Sequence, residues 1–321
     1  MRLLIARHTR RVTLSVLACL SVAACRKGVE RSLGGERALD DESAVDRIKR
    51  TSKVRFGYRA DARPFSFEDA SGKPAGYAIE LCSSVARLLS TELSVPGLKV
   101  EWVPVTIDNW SESVVEHRVD LNCGAGTETL ERRKLVDYSI PVFPGGVAAV
   151  VRSDAAQTLK DILFGMVNVS AQPGSQAKAL DVIRGQKFVV VKGTTAETWL
   201  NQQRKELKLD SEVLVVDSYA DGMKAVADRR ANAFFGEVAM LRDLARQRKD
   251  AATFTTVERM FTYEPVALAM QRNDDDFRLI VDRALSERFA SADFWAVYTR
   301  WFGMPQVTDV VFYLWNTLPK A

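Results

Sequence analysis

The sequence predicts an α/β protein of two lobes, each a doubly wound sheet covered by helices, joined by a two-strand hinge. Three observations carry this expectation. A strand–helix–strand–helix–strand order occurs twice along the chain. The passages EHRVDLNCG (116–124) and DRRANAFFG (228–236) superpose at an offset of 112 residues, each ending a strand in glycine. Two apolar segments, VFPGGVAAVV (142–151) and YEPVALAM (263–270), border the second copy and read as the chain crossings between lobes. Strand–helix–strand repeats imply parallel sheets with helices on both faces. In such sheets ligands sit beyond the carboxyl ends of the strands, so two facing lobes share one cleft.

The chain starts with a basic leader, MRLLIARHTRR, and an apolar run, VTLSVLACLSVAA (12–24). The run is shorter than the roughly 20 residues of a spanning helix, and the pattern is that of a secretory signal. Val22-Ala23-Ala24 directly precede Cys25. This resembles a bacterial lipobox, in which Cys25 is lipidated and anchors the protein to a membrane surface. An ordinary cleavage after Ala24, with Cys25 incidental, fits the same text. Both place the mature protein outside the cytoplasm, in the periplasm or cell envelope. Residues 26–50 are polar and charged and read as a tether leading into the fold.

In the first copy, KVRFGY (53–58) is a β-rich run. GYAIELCSSVARLL (76–89) places Ile79, Cys82, Val85, Ala86 and Leu89 at helical spacing. LKVEWVPV (98–105) and VDLNCG (119–124) are strands on either side of a short helix, WSESVVEHR (110–118). In the second copy the strands are KFVVVKG (187–193), SEVLVVD (211–217) and ANAFFG (231–236). The helices between them are TAETWLNQQRKEL (195–207) and DGMKAVADRR (221–230). Residues 271–303 return to the first lobe as helices, and the aromatic tail DVVFYLWNTLP (309–319) packs on the surface. The boundaries are a signal peptide at 1–24, an anchor and tether at 25–50, lobe 1 at 51–147 plus 267–303, lobe 2 at 148–266 and a tail at 304–321.

Composition removes several function classes. Hydrophobic residues make up 47% and charged residues 27%, an ordinary globular balance. The net charge of +4 equals the four arginines of residues 1–24 (Arg2, Arg7, Arg10, Arg11), so the remainder is neutral and gives no basis for nucleic-acid binding. Cys19 leaves with the signal, and Cys82 and Cys123 remain in the folded part. An oxidising compartment permits them to pair; two buried thiols are the alternative. There is no CxxC pair, HExxH, GxxxxGK[ST] or GxSxG, so no metal or cofactor is expected. Outside the signal, the sole histidine is His117, which reads as a solvated turn residue and is a poor base for a triad or dyad.

The informative run is DLNCGAGTETLERRKLVDYSIP (120–141). A strand ends in a small-residue turn, and a helix is expected to start with Thr127 or Thr129 as its cap. Amides at a helix start attract anions. Arg132 adds a fork that matches a carboxylate bidentately. A capped helix with a surface arginine accounts for the same spacing.

This run resembles the signature of bacterial solute-binding proteins of family 3, the polar amino-acid receptors of ABC importers. Their pattern is a D-L strand, a glycine-rich turn, T-x-T-x-E-R and V-D-[FY]-S-x-P. The stretches 54–82, 188–200, 227–241 and 264–285 are similar to the family in the expected order. The resemblance implies a periplasmic-binding-protein (Venus-flytrap) fold that closes on a small amino-acid-like ligand and presents it to an ABC transporter permease. It implies a monomer without enzymatic activity. Arg132 would clamp the ligand's α-carboxylate with Thr127 and the amide of Ala125. Phe65 would stack on its apolar part, and Lys192, Thr194 and Thr195 would close over it from lobe 2. Glu237 stands where the family usually places an aspartate for the α-amino group, and Tyr219 where some members read the side chain. Glutamate and aspartate receptors of the family carry a serine and an arginine in the region of VPVTIDNW, where this chain has Ile107 and Trp110. That departure disfavours acidic ligands, although Arg59 matches another arginine of those receptors. A neutral or aromatic-compatible amino acid, or a related small carboxylate, is expected. Two other readings remain: a cyclohexadienyl or arogenate dehydratase-like enzyme using Glu237 as general acid, and a receptor feeding a signalling partner.

Overall fold

The structure is a computed structural model that describes residues 42–124, 126–166 and 173–319. The signal segment, Cys25 and Ala125 lie outside the described residues.

Lobe 1 starts with helix α1 (Ala44–Thr51), β1 (Lys53–Arg59), a small antiparallel sheet of β2 (Asp61–Ala62), β3 (Ser66–Glu68) and β4 (Pro74–Ala75), and helix α2 (Tyr77–Glu92). It continues through β5 (Lys99–Val105), α3 (Trp110–Val115), β6 (Leu121–Asn122) and β7 (Asp137–Tyr138). Lobe 2 comprises β8 (Val147–Arg152), α4 (Gln157–Leu163), α5 (Pro173–Arg184), β9 (Lys187–Val191), α6 (Thr195–Glu206), β10 (Glu212–Val216), α7 (Tyr219–Ala227), β11 (Ala233–Glu237), α8 (Val238–Gln247) and β12 (Phe254–Val257). The chain then returns to lobe 1 as β13 (Ala269–Met270), α9 (Asp275–Phe289), α10 (Phe294–Phe302) and α11 (Val307–Asn316).

The two main sheets have corresponding orders. In lobe 1 the order is β5-β1-β6-β13-β7, with the first three strands parallel and β13 antiparallel to both neighbours. In lobe 2 it is β10-β9-β11-β8-β12, again three parallel strands followed by antiparallel pairing of β8. The repeated sequence order is thus a repeated topology. Strands β9 and β11 are buried almost throughout, as expected of parallel strands covered on both faces.

The two crossings pair with each other. Val142 and Phe143 exchange backbone hydrogen bonds with Val266, and the Glu264 amide donates to Gly145 O at 2.8 Å. Glycine is required at this approach: a Cβ on Gly145 would lie 2.8 Å from the Glu264 carbonyl oxygen and 3.2 Å from Glu237 Oε1.

Two expectations are corrected. No α-helix starts at Thr127 or Thr129. Residues 126–128 run extended against the returning crossing, with Thr127 bridged to Val266 and the Glu128 amide donating to Pro265 O at 2.9 Å. That pairing consumes the backbone groups a helix start would use, and only a 3-10 turn, Arg132–Lys134, follows. Part of the stretch read as a tether is helix α1, capped by Ser43 and burying Val45 and Ile48. The aromatic tail packs on the surface, with Leu314 and Trp315 exposed, and its inner face is anchored in the core. Tyr313 of α11 is 2% exposed, its hydroxyl meets that of Tyr77 at 2.8 Å, and both reach the carbonyl of Val142.

Candidate functional site

The carboxyl ends of β1 and β6 face those of β9 and β11 across a cleft with a cavity of about 40 Å³. That is room for a few water molecules. From lobe 1 it is lined by Arg59, Ile107, Trp110, Asn122, Thr127 and Arg132, and from lobe 2 by Thr194, Thr195, Tyr219 and Glu237.

Arg132 leaves the 3-10 turn and folds back toward its own loop. One guanidinium nitrogen donates to Thr127 O at 2.8 Å, and the group stacks 5.5 Å from the Trp110 ring centre. Burial lowers its pKa from the ordinary arginine value, and the charge of Arg59 adds to that. No carboxylate forms an ion pair with it among the described residues. Arg59 is spent differently: its Nε and Nη2 both donate to Asp61 at 2.9 Å.

Lobe 2 presents the amino end of α6, a helix of 12 residues. Thr194 is its cap: its hydroxyl accepts from the Glu197 amide at 3.3 Å and donates to Val191 O at 2.6 Å. Thr195 and Ala196, the first two helical residues, line the cleft. The helix start expected in lobe 1 is therefore supplied by lobe 2, with its partial positive charge toward the cleft. The Thr195 hydroxyl also donates to Glu264 Oε2.

Glu237 ends β11 and caps α8. Oε2 accepts from the Met240 amide at 2.9 Å, while Oε1 is enclosed without a partner. Burial raises its pKa to about 7, against the pull of the Met240 and Ala239 amides. The buried Tyr219 hydroxyl accepts from the Glu237 amide at 3.1 Å. Asn122 contributes a second enclosed and partnerless oxygen, Oδ1.

Of the residues singled out in the sequence, Arg132, Thr127, Arg59, Trp110, Thr194, Thr195, Tyr219 and Glu237 converge on this cleft. Phe65 does not: it is fully buried in the lobe 1 core, edge-on to Phe143 at 5.2 Å and tilted against Phe302 at 5.6 Å. An apolar side chain on a hinge-facing turn gains more by joining that aromatic core than by lining a polar cleft. Lys192 is exposed and absent from the lining. Cys82 and Cys123 form a disulfide that ties α2 to the end of β6. Sequence reasoning missed Asn122, Gly126, Ala196 and Met240. A polar residue in the apolar strand VDLNC was the available signal for Asn122.

Two lobes, paired crossings and a cleft holding a guanidinium without a carboxylate partner and a partnerless carboxylate oxygen define a ligand-binding protein of the periplasmic-binding-protein fold. Residues 54–304 match the bacterial extracellular solute-binding proteins, family 3, and the chain belongs to that family. Among curated proteins, an L-glutamate/L-aspartate-binding protein of Pseudomonas aeruginosa is 26% identical over 260 residues, covering 81% of this chain and 80% of that protein. An L-cystine-binding protein of Escherichia coli is 23% identical over 260 residues, covering 80% and 85%. Among solved structures, an ancestral amino acid-binding protein described as a precursor of cyclohexadienyl dehydratase matches with a TM-score of 0.64 and 26% identity. It is covered completely and covers 81% of this chain.

Proposed function

We propose that the protein is an extracytoplasmic receptor that binds an α-amino acid in the inter-lobe cleft and delivers it to an ABC permease. The observation that carries this is the opposition of two unspent charges. Arg132 holds no carboxylate, and Glu237 Oε1 holds no donor. A zwitterion supplies both: its carboxylate to Arg132 and the amino end of α6, its ammonium to Glu237. Buried charges left unpaired are costly, so a ligand that pairs both gains a large part of its affinity there. The family and the amino-acid-binding relatives support the same reading. The mature protein is a monomer held at the cell envelope, through Cys25 if that residue is lipidated.

The ligand side chain is neutral or aromatic-compatible. Ile107 and Trp110 line the cleft, and Arg59 is already occupied by Asp61, so a second carboxylate meets no free cation there. This sets the chain apart from its glutamate/aspartate-binding relative. The cleft is nearly closed, so the lobes open to admit the ligand, a hinge motion within the known repertoire.

A thermal-shift screen against the common amino acids tests the reading. A ligand at 100 times its dissociation constant adds about 2.7 kcal/mol, and the shift should vanish in Arg132→Ala. A preference for glutamate would overturn the side-chain assignment, and a flat screen would overturn the amino-acid ligand. One observation favours a second reading, a dehydratase-like enzyme: Glu237 has its pKa at about 7, suited to a general acid at neutral pH. Turnover of arogenate or prephenate to an aromatic product would establish it, and absence of turnover would exclude it.

A further inference from the structure

A second cavity, of about 670 Å³, shares no lining residue with the cleft. It lies where Phe143 and Pro144 of the first crossing meet α8 on one side and α10 with the start of α11 on the other. Its volume falls in the range of small-molecule sites. One wall is apolar and aromatic, built from Phe143, Trp301, Phe302 and Met304, of which Met304 is 81% exposed.

Two arginines, Arg242 and Arg246, and three carboxylates, Asp243, Glu258 and Asp309, line it. Asp243 is paired with Arg63 at 3.0 Å, and Glu258 with Arg242. Asp309 is engaged at the amino end of α11, where it accepts from the Gln306 amide at 2.8 Å. The acids are thus used. On the basic side, Arg242 keeps its Nε buried without a partner. Arg246, one helical turn further along α8, is exposed and makes no hydrogen bond or ion pair among the described residues. It feels the charge of Asp243, but that carboxylate is already held by Arg63. What the cavity offers is an unspent guanidinium and an orphaned donor beside an aromatic wall.

We propose that this cavity is a second ligand site, taking a small organic anion with an aromatic or bulky apolar body. The anionic end meets Arg246 and Arg242, and the apolar body covers Trp301 and Phe302.

The test is a fluorescence titration of the purified protein with anilinonaphthalene sulfonate, an aromatic anion of this class. Saturable binding of one dye per chain is expected. Arg246→Glu should weaken it about tenfold or more. Thr308→Trp, which fills the cavity from an exposed position at the start of α11, should weaken it comparably. Arg132→Ala, in the cleft, should leave it unchanged. Thermal melts establish that each variant is folded, and the two cavity variants report independently should one of them fail to fold. Unsaturable binding, Arg246→Glu and Thr308→Trp both within twofold of the parent, or loss of dye in Arg132→Ala would overturn the proposal.

Discussion

Arg132 carries a charge that burial makes costly and that no carboxylate neutralises, and burial holds Glu237 half protonated near neutral pH. Removing the guanidinium should therefore cost more than a surface contact would. Truncating one member of a buried charge pair costs about 2–5 kcal/mol, so Arg132→Ala should weaken the amino-acid ligand about 30-fold or more by calorimetry. Glu237 gives a pH signature. Its pKa of about 7 in the free protein means that half the carboxylates must lose a proton before they accept an ammonium. Affinity should rise about tenfold between pH 6 and pH 8, and Glu237→Gln should flatten that profile. The effect on stability has the opposite sign. A folded pKa above the unfolded value contributes stability that is complete below about pH 4.5 and is lost as pH rises through 7. Ligand-free Glu237→Gln should therefore gain more in melting temperature over the parent at pH 8 than at pH 4.5.

Among the elements, the crossings and α11 carry the most consequence. Gly145 sits between the Glu264 backbone and the Glu237 carboxylate. Gly145→Ala should cost about 1–3 kcal/mol, the usual cost of overpacking. It should also weaken ligand binding, because the added methyl presses on Oε1. Phe302 of α10 packs 4.5 Å from Phe143, while Tyr313 of α11 hydrogen-bonds the Val142 carbonyl. The end of the chain is thereby fastened to the first crossing. Tyr313→Ala should cost about 3–5 kcal/mol in chemical denaturation, like other large aromatic truncations in a core. A cost below about 1 kcal/mol would mean that α11 is dispensable to the fold. The extended segment 126–128 was illegible in the sequence. Thr127-x-Thr129 is a reasonable cap pattern, and only the distant residues 265–267 supply the partners that hold it extended.

For the molecule as a whole, the disulfide closes a loop of 41 residues within lobe 1. Reducing it should lower the unfolding free energy by up to about 4 kcal/mol by the chain-entropy estimate, read as a shift of the denaturation midpoint with dithiothreitol. Both cysteines were visible in the sequence, but their pairing was open there. Helix α2 and strand β6 are separated by a further strand and helix, and only the sheet order β5-β1-β6 brings them together.

The sequence by itself determined the two α/β lobes, the strand repeat at an offset of 112 residues and most of the cleft, from Arg132 and Thr127 to Thr194, Thr195, Tyr219 and Glu237. The lobes and the repeat follow from local periodicity and from turns at strand ends, and the cleft residues from the resemblance of the chain's motifs to the family-3 receptors. The tertiary structure alone decided the rest. It sent Phe65 into the core, committed Arg59 to Asp61, left Lys192 in solvent and supplied the helix start from lobe 2. It also built α11 into the hinge and opened a second cavity beside it. Each of these depends on which distant groups compete for a side chain or a backbone amide. That competition is settled by burial and pairing across the chain, which no local pattern encodes.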